Sequence, residues 1–249
     1  MDPFHQQLAR IAFDASDDLG LVLAGGYAIS AHHLTSRPSR DLDFATVSTL
    51  PLDVITDRLA GVYRAAGYGV EIIETAPTMA RFEVHDRDHQ RCEIDLLKAG
   101  IQPPVRLDIG PVLALDDAVG LKVGALHDRG THRDFIDVHA AYTRGGYTLQ
   151  ELERLGAAHL LRFTLGELLD RLESVEFLDD ETFTGYGLSN DEVAALHRWC
   201  RFWAHDLRPR MAANDDASQP TVLDPDWDSY LDDGDSTTDL NPDHSIRAE

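Results

Sequence analysis

LAGGYAISAHHLTSRPSRDLDF, residues 23–44, is the stretch of sequence on which the fold prediction depends. It begins at the end of a short apolar run, which we predict to be a buried strand ended by Gly25 and Gly26. A helix is expected directly after these glycines, followed by a loop rich in Ser, Arg and Pro over residues 35–40. The strict alternation of RDLDFAT then predicts a second strand, which carries Asp41 and Asp43.

The two aspartates are the strongest chemical signal in this stretch. On a strand, Asp41 and Asp43 point to the same face, with about 6.5–7 Å between their Cα atoms. Paired carboxylates repel each other unless a cation lies between them, and Mg²⁺ with phosphate oxygens is the natural partner. A bare Asp-x-Asp is more often a solvated strand face, but Gly25 and Gly26 let the backbone approach a phosphate closely. The combination favours a metal-dependent phosphate site.

The remaining patterns predict an α/β (α+β) domain with a small mixed sheet and a helical C-terminal part. A polar turn at residues 86–89 predicts a hairpin between two of the strands. Ser189 and Glu192 have the spacing of a capping box at the start of the last helix. The predicted strands are residues 69–76, 79–86 and 90–99, and the predicted helices are residues 4–18, 52–66, 116–130, 132–146, 148–172 and 189–206.

The charge balance limits the kinds of partner. With 22 Lys and Arg against 44 Asp and Glu, the formal net charge is −22. Residues 212–249 contain eleven acidic residues and one basic residue and few core formers, which predicts a disordered acidic tail. A broad electrostatic grip on nucleic acid is therefore excluded, whereas a local basic groove is not.

Membrane and redox signals are weak. The longest weakly polar run, residues 19–31, has 13 residues and is too short to span a bilayer, and the first ten residues lack the apolar segment of a secretory signal. Cys92 and Cys200 show no metal-type spacing, so two buried reduced thiols are favoured over a disulfide. These features predict a cytoplasmic protein without a membrane anchor.

Two blocks of the sequence resemble a known family. LAGGYAISAHH…SRDLDF resembles the signature of the polymerase-β-type nucleotidyltransferase superfamily, with a spacer slightly longer than usual. KVGALHDRGTHRDFIDVHAAY, residues 122–142, resembles the Lys…Arg-Asp-x-x-Asp block of the AbiEii/MenT toxins of type IV toxin–antitoxin systems. The resemblance implies a nucleotidyltransferase core at 1–145 and a helical region at 146–211, followed by the acidic tail at 212–249.

The resemblance also implies an activity. Proteins of this family transfer NMP from an NTP to RNA, typically a tRNA 3′ end, with two Mg²⁺ ions, and they are paired with a cognate antitoxin. Two alternatives remain open at this point. A small-molecule nucleotidyltransferase of the aminoglycoside-modifying type shares the glycines and the Asp-x-Asp, and an acidic protein suits cationic acceptors. A catalytically inactive fold used for binding is the second alternative.

The resemblance assigns roles to individual residues. Asp41 and Asp43 would hold Mg²⁺, with Asp95 as the candidate third carboxylate, for which Glu83 and Glu93 compete. Lys122 would neutralise the triphosphate, and Asp137 would orient that lysine or a metal-bound water. Asp134 is the second choice, because pairing within its helix explains it equally well. The residues implied in nucleotide binding are Gly25, Gly26, Ser39, Arg40 and Arg133, and Ser39 is also a candidate for inactivating phosphorylation.

Two further expectations depend on the three-dimensional arrangement. Five arginines could form a basic rim for an RNA end, namely Arg37, Arg40, Arg81, Arg91 and Arg129. The acidic tail could be a solubilising brush, an antitoxin-docking segment or a phosphate mimic that inhibits the nucleic-acid groove. Its aromatic residues Trp227 and Tyr230 are typical of a docking segment.

Overall fold

A computed structural model describes residues 1–14 and 17–218 of the chain. Residues 1–211 form one compact unit, and residues 212–249 are assigned to a second, of which the description covers 212–218. Short 3₁₀ turns lie at Asp17–Leu19 and Val175–Phe177. The helices and strands, in chain order, are α1 (Pro3–Asp14), β1 (Leu21–Leu23), α2 (Gly25–Ala31), β2 (Asp41–Thr46), α3 (Leu52–Ala65), β3 (Gly69–Thr75), β4 (Met79–His85), β5 (Arg91–Lys98), β6 (Val105–Leu107), β7 (Gly110–Val112), α4 (Leu115–Asp128), α5 (His132–Gly145), α6 (Leu149–His159), α7 (Leu165–Ser174), α8 (Asp180–Gly185) and α9 (Asn190–Ser218).

The strands form one mixed sheet in the order β3-β4-β5-β2-β1-β7-β6. The pairs β2–β5 and β1–β7 are parallel, and the other neighbouring pairs are antiparallel. In the central β2–β5 pair, Asp43 lies opposite Asp95. The predicted α/β class with a small mixed sheet is confirmed, and its centre carries the acidic residues.

Alternation along the central strands explains why the acidic residues face one side. Leu42 and Phe44 of β2 are fully buried, while Asp41 and Asp43 point to the opposite face. Leu59 and Tyr63 of α3 are also fully buried, on a stripe with helical spacing. The apolar face of the sheet therefore anchors the strands while the polar face remains available for chemistry.

Capping residues fix where several helices begin. Thr131 caps α5 and Thr148 caps α6, each in a capping box with the acidic residue three positions on. The box predicted at Ser189 is confirmed, since its hydroxyl accepts from the Glu192 amide at 3.3 Å and Glu192 Oε2 accepts from the Ser189 amide at 2.8 Å. The capping residues thus set the starting points of helices that carry site residues.

Several predicted boundaries differ from the structure. The first helix ends at Asp14, and the segment 148–172 is divided into α6 and α7. The hairpin β6–β7 and the short helix α8 lack a clear hydrophobic period and were not predicted. Helix α9 continues to Ser218 and so includes the first seven residues of the predicted tail. The disorder predicted for residues 219–249 falls outside the described residues.

Two expectations from composition can be compared with the described residues. None of the helices in residues 1–14 and 17–218 is long and apolar enough to cross a membrane. Cys92 and Cys200 are both buried free thiols, as predicted. Burial raises the pKa of Cys92 to about 12, so its thiol stays protonated at neutral pH.

Candidate active site

The two glycines make room for polar side chains of the site. Gly25 begins α2 with a φ of +56°, and a Cβ atom at this position would overlap the carboxylate of Asp43. A Cβ at Gly26 would lie 2.6 Å from Ser39 Oγ. Gly25 is therefore required for its left-handed backbone and for the close approach of Asp43, and Gly26 leaves room for the side chain of Ser39.

Asp41 is held by two donors. Arg133 Nη1 donates to its Oδ2 at 2.6 Å, and Ser39 Oγ donates to its Oδ1 at 3.1 Å. Burial alone would raise the pKa of Asp41, but the hydrogen bond and charge of Arg133, together with Ser39, outweigh it and lower that pKa. Asp41 is thus ionised and fixed in orientation.

Asp43 has a different environment. Among the described residues no side chain or amide donates a hydrogen bond to its carboxylate, and it forms no ion pair. Burial, followed by the negative charge of Asp41, raises its pKa to about 6. A partly buried carboxylate without a donor, beside an ionised one, fits a divalent cation, because oxygen ligands of this kind are those that Mg²⁺ prefers.

Asp95 is next to Asp43 in register but is already paired. Arg81 donates to both carboxylate oxygens of Asp95 at 2.7 Å and lies 3.3 Å from Glu93. Glu83 pairs with Arg91 at 2.8 Å. Within the described part of the chain, no group of three His, Cys, Asp or Glu side chains is arranged to hold a metal ion. These contacts favour an ion pair for Asp95, and its role as third ligand stays a prediction.

The second sequence block supplies a buried ion-pair network. Asp137 of α5 is fully buried and lies 3.0 Å from Lys122 Nζ of α4. Arg37 donates to both oxygens of Asp137, at 2.7 Å from Nε and 2.6 Å from Nη2. Asp137 therefore holds the ammonium of Lys122 and the guanidinium of Arg37 together, and through Arg37 it contacts the loop that carries Ser39.

The role suggested for Arg37 in a basic rim is not what the structure shows. Its side chain is 2% exposed, and burial makes it a structural partner of Asp137 rather than a surface cation. Sequence reasoning missed this role because the two residues are 100 positions apart. The pairing joins the loop before β2 to α5.

Asp134 is paired close to its own helix, which is the structural alternative that the sequence left open. It is fully buried, accepts from Thr131 at the start of α5, and receives two hydrogen bonds from Arg129, at 2.9 and 3.0 Å. These contacts lower its pKa despite burial, through Arg129 and Lys122. Asp134 thus caps the helix, whereas Asp137, one turn further on, contacts the lysine.

An aromatic side chain from the C-terminal region lies beside the loop. The guanidinium of Arg40 sits 5.3 Å from the ring centroid of Tyr186, and that of Arg37 lies 5.9 Å from it. Tyr186 directly follows α8, which the sequence patterns did not predict, so it was missed. Arg40 is exposed and immediately precedes Asp41, which places a cation and an aromatic ring at the rim of the site.

A cavity of about 300 Å³ brings the two sequence blocks together. Asp43 and Gly25 line it from the sheet side, and Lys122 and Arg129 line it from α4 and the residue after it. Helix α6 adds His159. A larger cavity, about 880 Å³, lies at the opposite end of β1, where Gly20 and Val47 line it. It contains none of the predicted site residues, so the smaller cavity is the candidate active site.

The glycine turn, the carboxylate pair and the lysine, on this mixed sheet, define a nucleotidyltransferase. The sequence profile of the nucleotidyl transferase AbiEii toxin of type IV toxin–antitoxin systems matches residues 6–245. The chain belongs to this family.

Solved structures agree with this fold. The crystal structure of JHP933 from Helicobacter pylori superposes with a TM-score of 0.52 at 16% identity, over 86% of this chain and 96% of that one. MenT4, a nucleotidyltransferase toxin from Mycobacterium tuberculosis, superposes with a TM-score of 0.50 at 16% identity, over 82% of both chains. A search of curated proteins gives no match.

Proposed function

We propose that this nucleotidyltransferase toxin transfers NMP from an NTP to an RNA acceptor, of which the tRNA 3′ end is the leading candidate, in a Mg²⁺-dependent reaction. The observation that carries the proposal is the carboxylate of Asp43, which has no donor among the described residues and faces the same cavity as Lys122. The reaction belongs in the cytoplasm, where NTP and tRNA are available.

Asp41 and Asp43 are the residues proposed to hold the metal, with two ions expected. Bound Mg²⁺ would stabilise charge on the triphosphate and favour ionisation of the attacking hydroxyl. Asp41 is ionised and Asp43, with a pKa of about 6, is mostly ionised at neutral pH, so both carry the charge that a cation requires.

The remaining residues bind and orient the triphosphate in this proposal. Lys122 neutralises phosphate charge as a point cation, and Asp137 with Arg37 keeps its ammonium in place. Arg133 uses only Nη1 for Asp41, so its other donors are proposed for a phosphate oxygen. Gly25, Gly26 and Ser39 provide the close approach of backbone and hydroxyl.

The rim of the site favours RNA as the acceptor. Single-stranded ends are recognised by stacking on aromatic rings and arginine planes, together with contacts to phosphate. Arg40 over Tyr186 provides this combination next to Asp41. The acidic balance of the chain favours the small-molecule alternative instead, since cationic acceptors prefer acidic surfaces. A cognate antitoxin is the expected protein partner, and the acidic tail is a candidate docking segment for it.

Transfer of label separates these acceptors. Each α-labelled NTP is incubated with Mg²⁺ and either total tRNA or a panel of aminoglycosides, with the D41A/D43A double variant as the blank. Label on tRNA that is lost in the double variant supports the proposal and identifies the nucleotide. Label on aminoglycosides alone would support the small-molecule nucleotidyltransferase instead. Label on neither acceptor would contradict both candidate functions.

A further inference from the structure

A histidine in the wall of the catalytic cavity has no part in the chemistry described so far. His159, the last residue of α6, lines the same cavity as Asp43 and Lys122. Its side chain is 8% exposed, so it is a component of the wall rather than of the outer surface. It comes from the helical region at 146–211, outside the two sequence blocks that carry the family resemblance.

The imidazole is held through one of its two nitrogens. Nε2 of His159 lies 3.1 Å from Oδ1 of Asp117, whose side chain is 6% exposed. Asp117 also accepts from the backbone amide of Gln102 at 2.6 Å and from its side-chain amide at 3.3 Å. Because an ionised carboxylate only accepts, the shared proton belongs to Nε2. In the neutral ring, Nδ1 is then a hydrogen-bond acceptor.

The packing of α4 against α6 determines which edge of the ring is available. A Cβ at Gly120 of α4 would lie 2.5 Å from Cδ2 of His159 and 2.7 Å from the carbonyl oxygen of Leu155. The edge with Cδ2 and Nε2 is therefore covered by α4, where Asp117 also lies. The opposite edge carries Nδ1, which has no partner among the described residues.

Part of the cavity wall is apolar, and Ala118, Leu121, Ala125 and Leu160 contribute to it. The charged residues that line the same cavity are Asp43, Asp95, Lys122, Asp128 and Arg129. A volume of about 300 Å³ is at the lower end of the range for small-molecule sites. Apolar side chains beside an imidazole acceptor that Asp117 fixes suit a planar heteroaromatic ring with an N–H on its edge.

We propose that His159 binds the nucleobase of the incoming NTP, accepting an N–H of the base at Nδ1, and so determines nucleotide preference. Asp117 is the positioning residue that sets the tautomer. The inference rests on the proposed function in that the ligand of this cavity is an NTP with its triphosphate at Lys122. It assigns the selection of the nucleotide to the helical region.

Equilibrium binding tests this assignment without turnover. The affinities of the four Mg-NTPs and of Mg-tripolyphosphate, which has no base, are measured for the full chain and its variants. His159→Leu should lower the affinity for the preferred NTP about fivefold to tenfold, since one hydrogen bond is lost. The affinities of this variant for the four NTPs should then become similar. Its affinity for tripolyphosphate should stay within twofold. His159→Gln can donate to Asp117 and accept from the base, so it should retain most of the preference.

Asp117→Asn provides a readout that a structural role would not change. The Asn oxygen is expected to stay with the Gln102 amide, which leaves its NH₂ group facing Nε2 and forces the proton to Nδ1. His159 would then donate, and the rank order of the NTPs should move toward bases with a carbonyl at the contacted position. A parallel loss of tripolyphosphate and NTP affinity, or an unchanged rank order in both His159→Leu and Asp117→Asn, would overturn the inference.

The binding assay also separates this inference from the proposed function. If the wild-type protein shows a nucleotide preference that depends on His159 but labels no acceptor, the proposed transfer reaction is wrong and the contact between His159 and the base is supported. If transfer occurs and His159→Leu leaves selection unchanged, the proposed function stands and the base contact is wrong.

Discussion

Two aspartates of the candidate site, one fully buried and one partly exposed, have opposite environments. Asp137 of α5 is fully buried and contacts two cations, Arg37 and Lys122. Asp43 of β2 is partly buried beside another carboxylate and has no donor among the described residues. A buried charge without a partner costs several kcal/mol of stability, whereas a paired one is part of the scaffold. We therefore expect Asp137 to contribute mainly to the scaffold of the site and Asp43 mainly to ligand binding.

The largest effect on activity is expected when the unpartnered carboxylate is neutralised. Asp43→Asn should lower nucleotidyl transfer by about 10³-fold or more, because the cation loses a charged ligand. The melting temperature should stay the same or rise, since the substitution removes a partly buried charge that has no counter-charge. Labelled transfer and thermal unfolding measure the two effects. A clear fall in melting temperature would show that Asp43 has a structural partner.

The same substitution at the paired aspartate should give the opposite result for stability. Asp137→Asn leaves Arg37 and Lys122 close together without their counter-charge, and breaking such a buried pair costs about 3–5 kcal/mol. The free energy of unfolding, measured with denaturant, should fall by that order, and transfer should fall as well because Lys122 is displaced. Asp134→Asn is a matched control for burial. Its own partner, Arg129, is half exposed, so the loss should be smaller.

The surroundings of Asp43 could be predicted from the sequence better than the surroundings of Asp137. Gly25, Gly26 and Asp43 lie within one strand-turn-helix-strand unit, where periodicity and spacing determine which side chains meet. Asp134 and Asp137 share a helix face, and periodicity alone could not tell the cap from the lysine partner. Only the packing of α4 on α5 separates their roles.

Residues supplied by distant elements were not predictable in this way. Arg37 meets a residue 100 positions away. His159 ends α6 and Tyr186 follows α8, and the orientation of both helices depends on packing across the core. The side chain of Arg37 looked like a surface cation in a polar loop. Its burial follows from the position of Asp137, about which the loop sequence contains no information.

Metal binding offers a third way to test the comparison. Mg²⁺ at about 100 times its dissociation constant should raise the free energy of unfolding of the wild-type protein by about 2.7 kcal/mol. The stabilisation should be lost in Asp43→Asn and on addition of EDTA. It should persist in Asp95→Asn, because both oxygens of Asp95 are bound by Arg81. A Mg²⁺ effect that disappears in Asp95→Asn would establish the third carboxylate as a ligand.

The smallest predicted effect is on the pH dependence of stability and concerns His139, which lies on the same helix as Asp137. His139 packs against Trp199 with ring centroids 5.1 Å apart, and burial, then the charge of Arg144, lowers its pKa to about 4, against a weaker opposing effect of Glu192. The unfolded chain binds a proton at this histidine below its ordinary pKa of about 6.5, whereas the folded chain does not until about pH 4.

The free energy of unfolding should therefore fall as the pH decreases from 6.5 to 4, by about 1–2 kcal/mol after allowance for partial exposure. Denaturant unfolding of wild type and His139→Gln at several pH values measures this contribution. The difference between the two proteins should change over this interval and stay constant above pH 7, and a constant difference throughout would show that His139 is not buried in its neutral form.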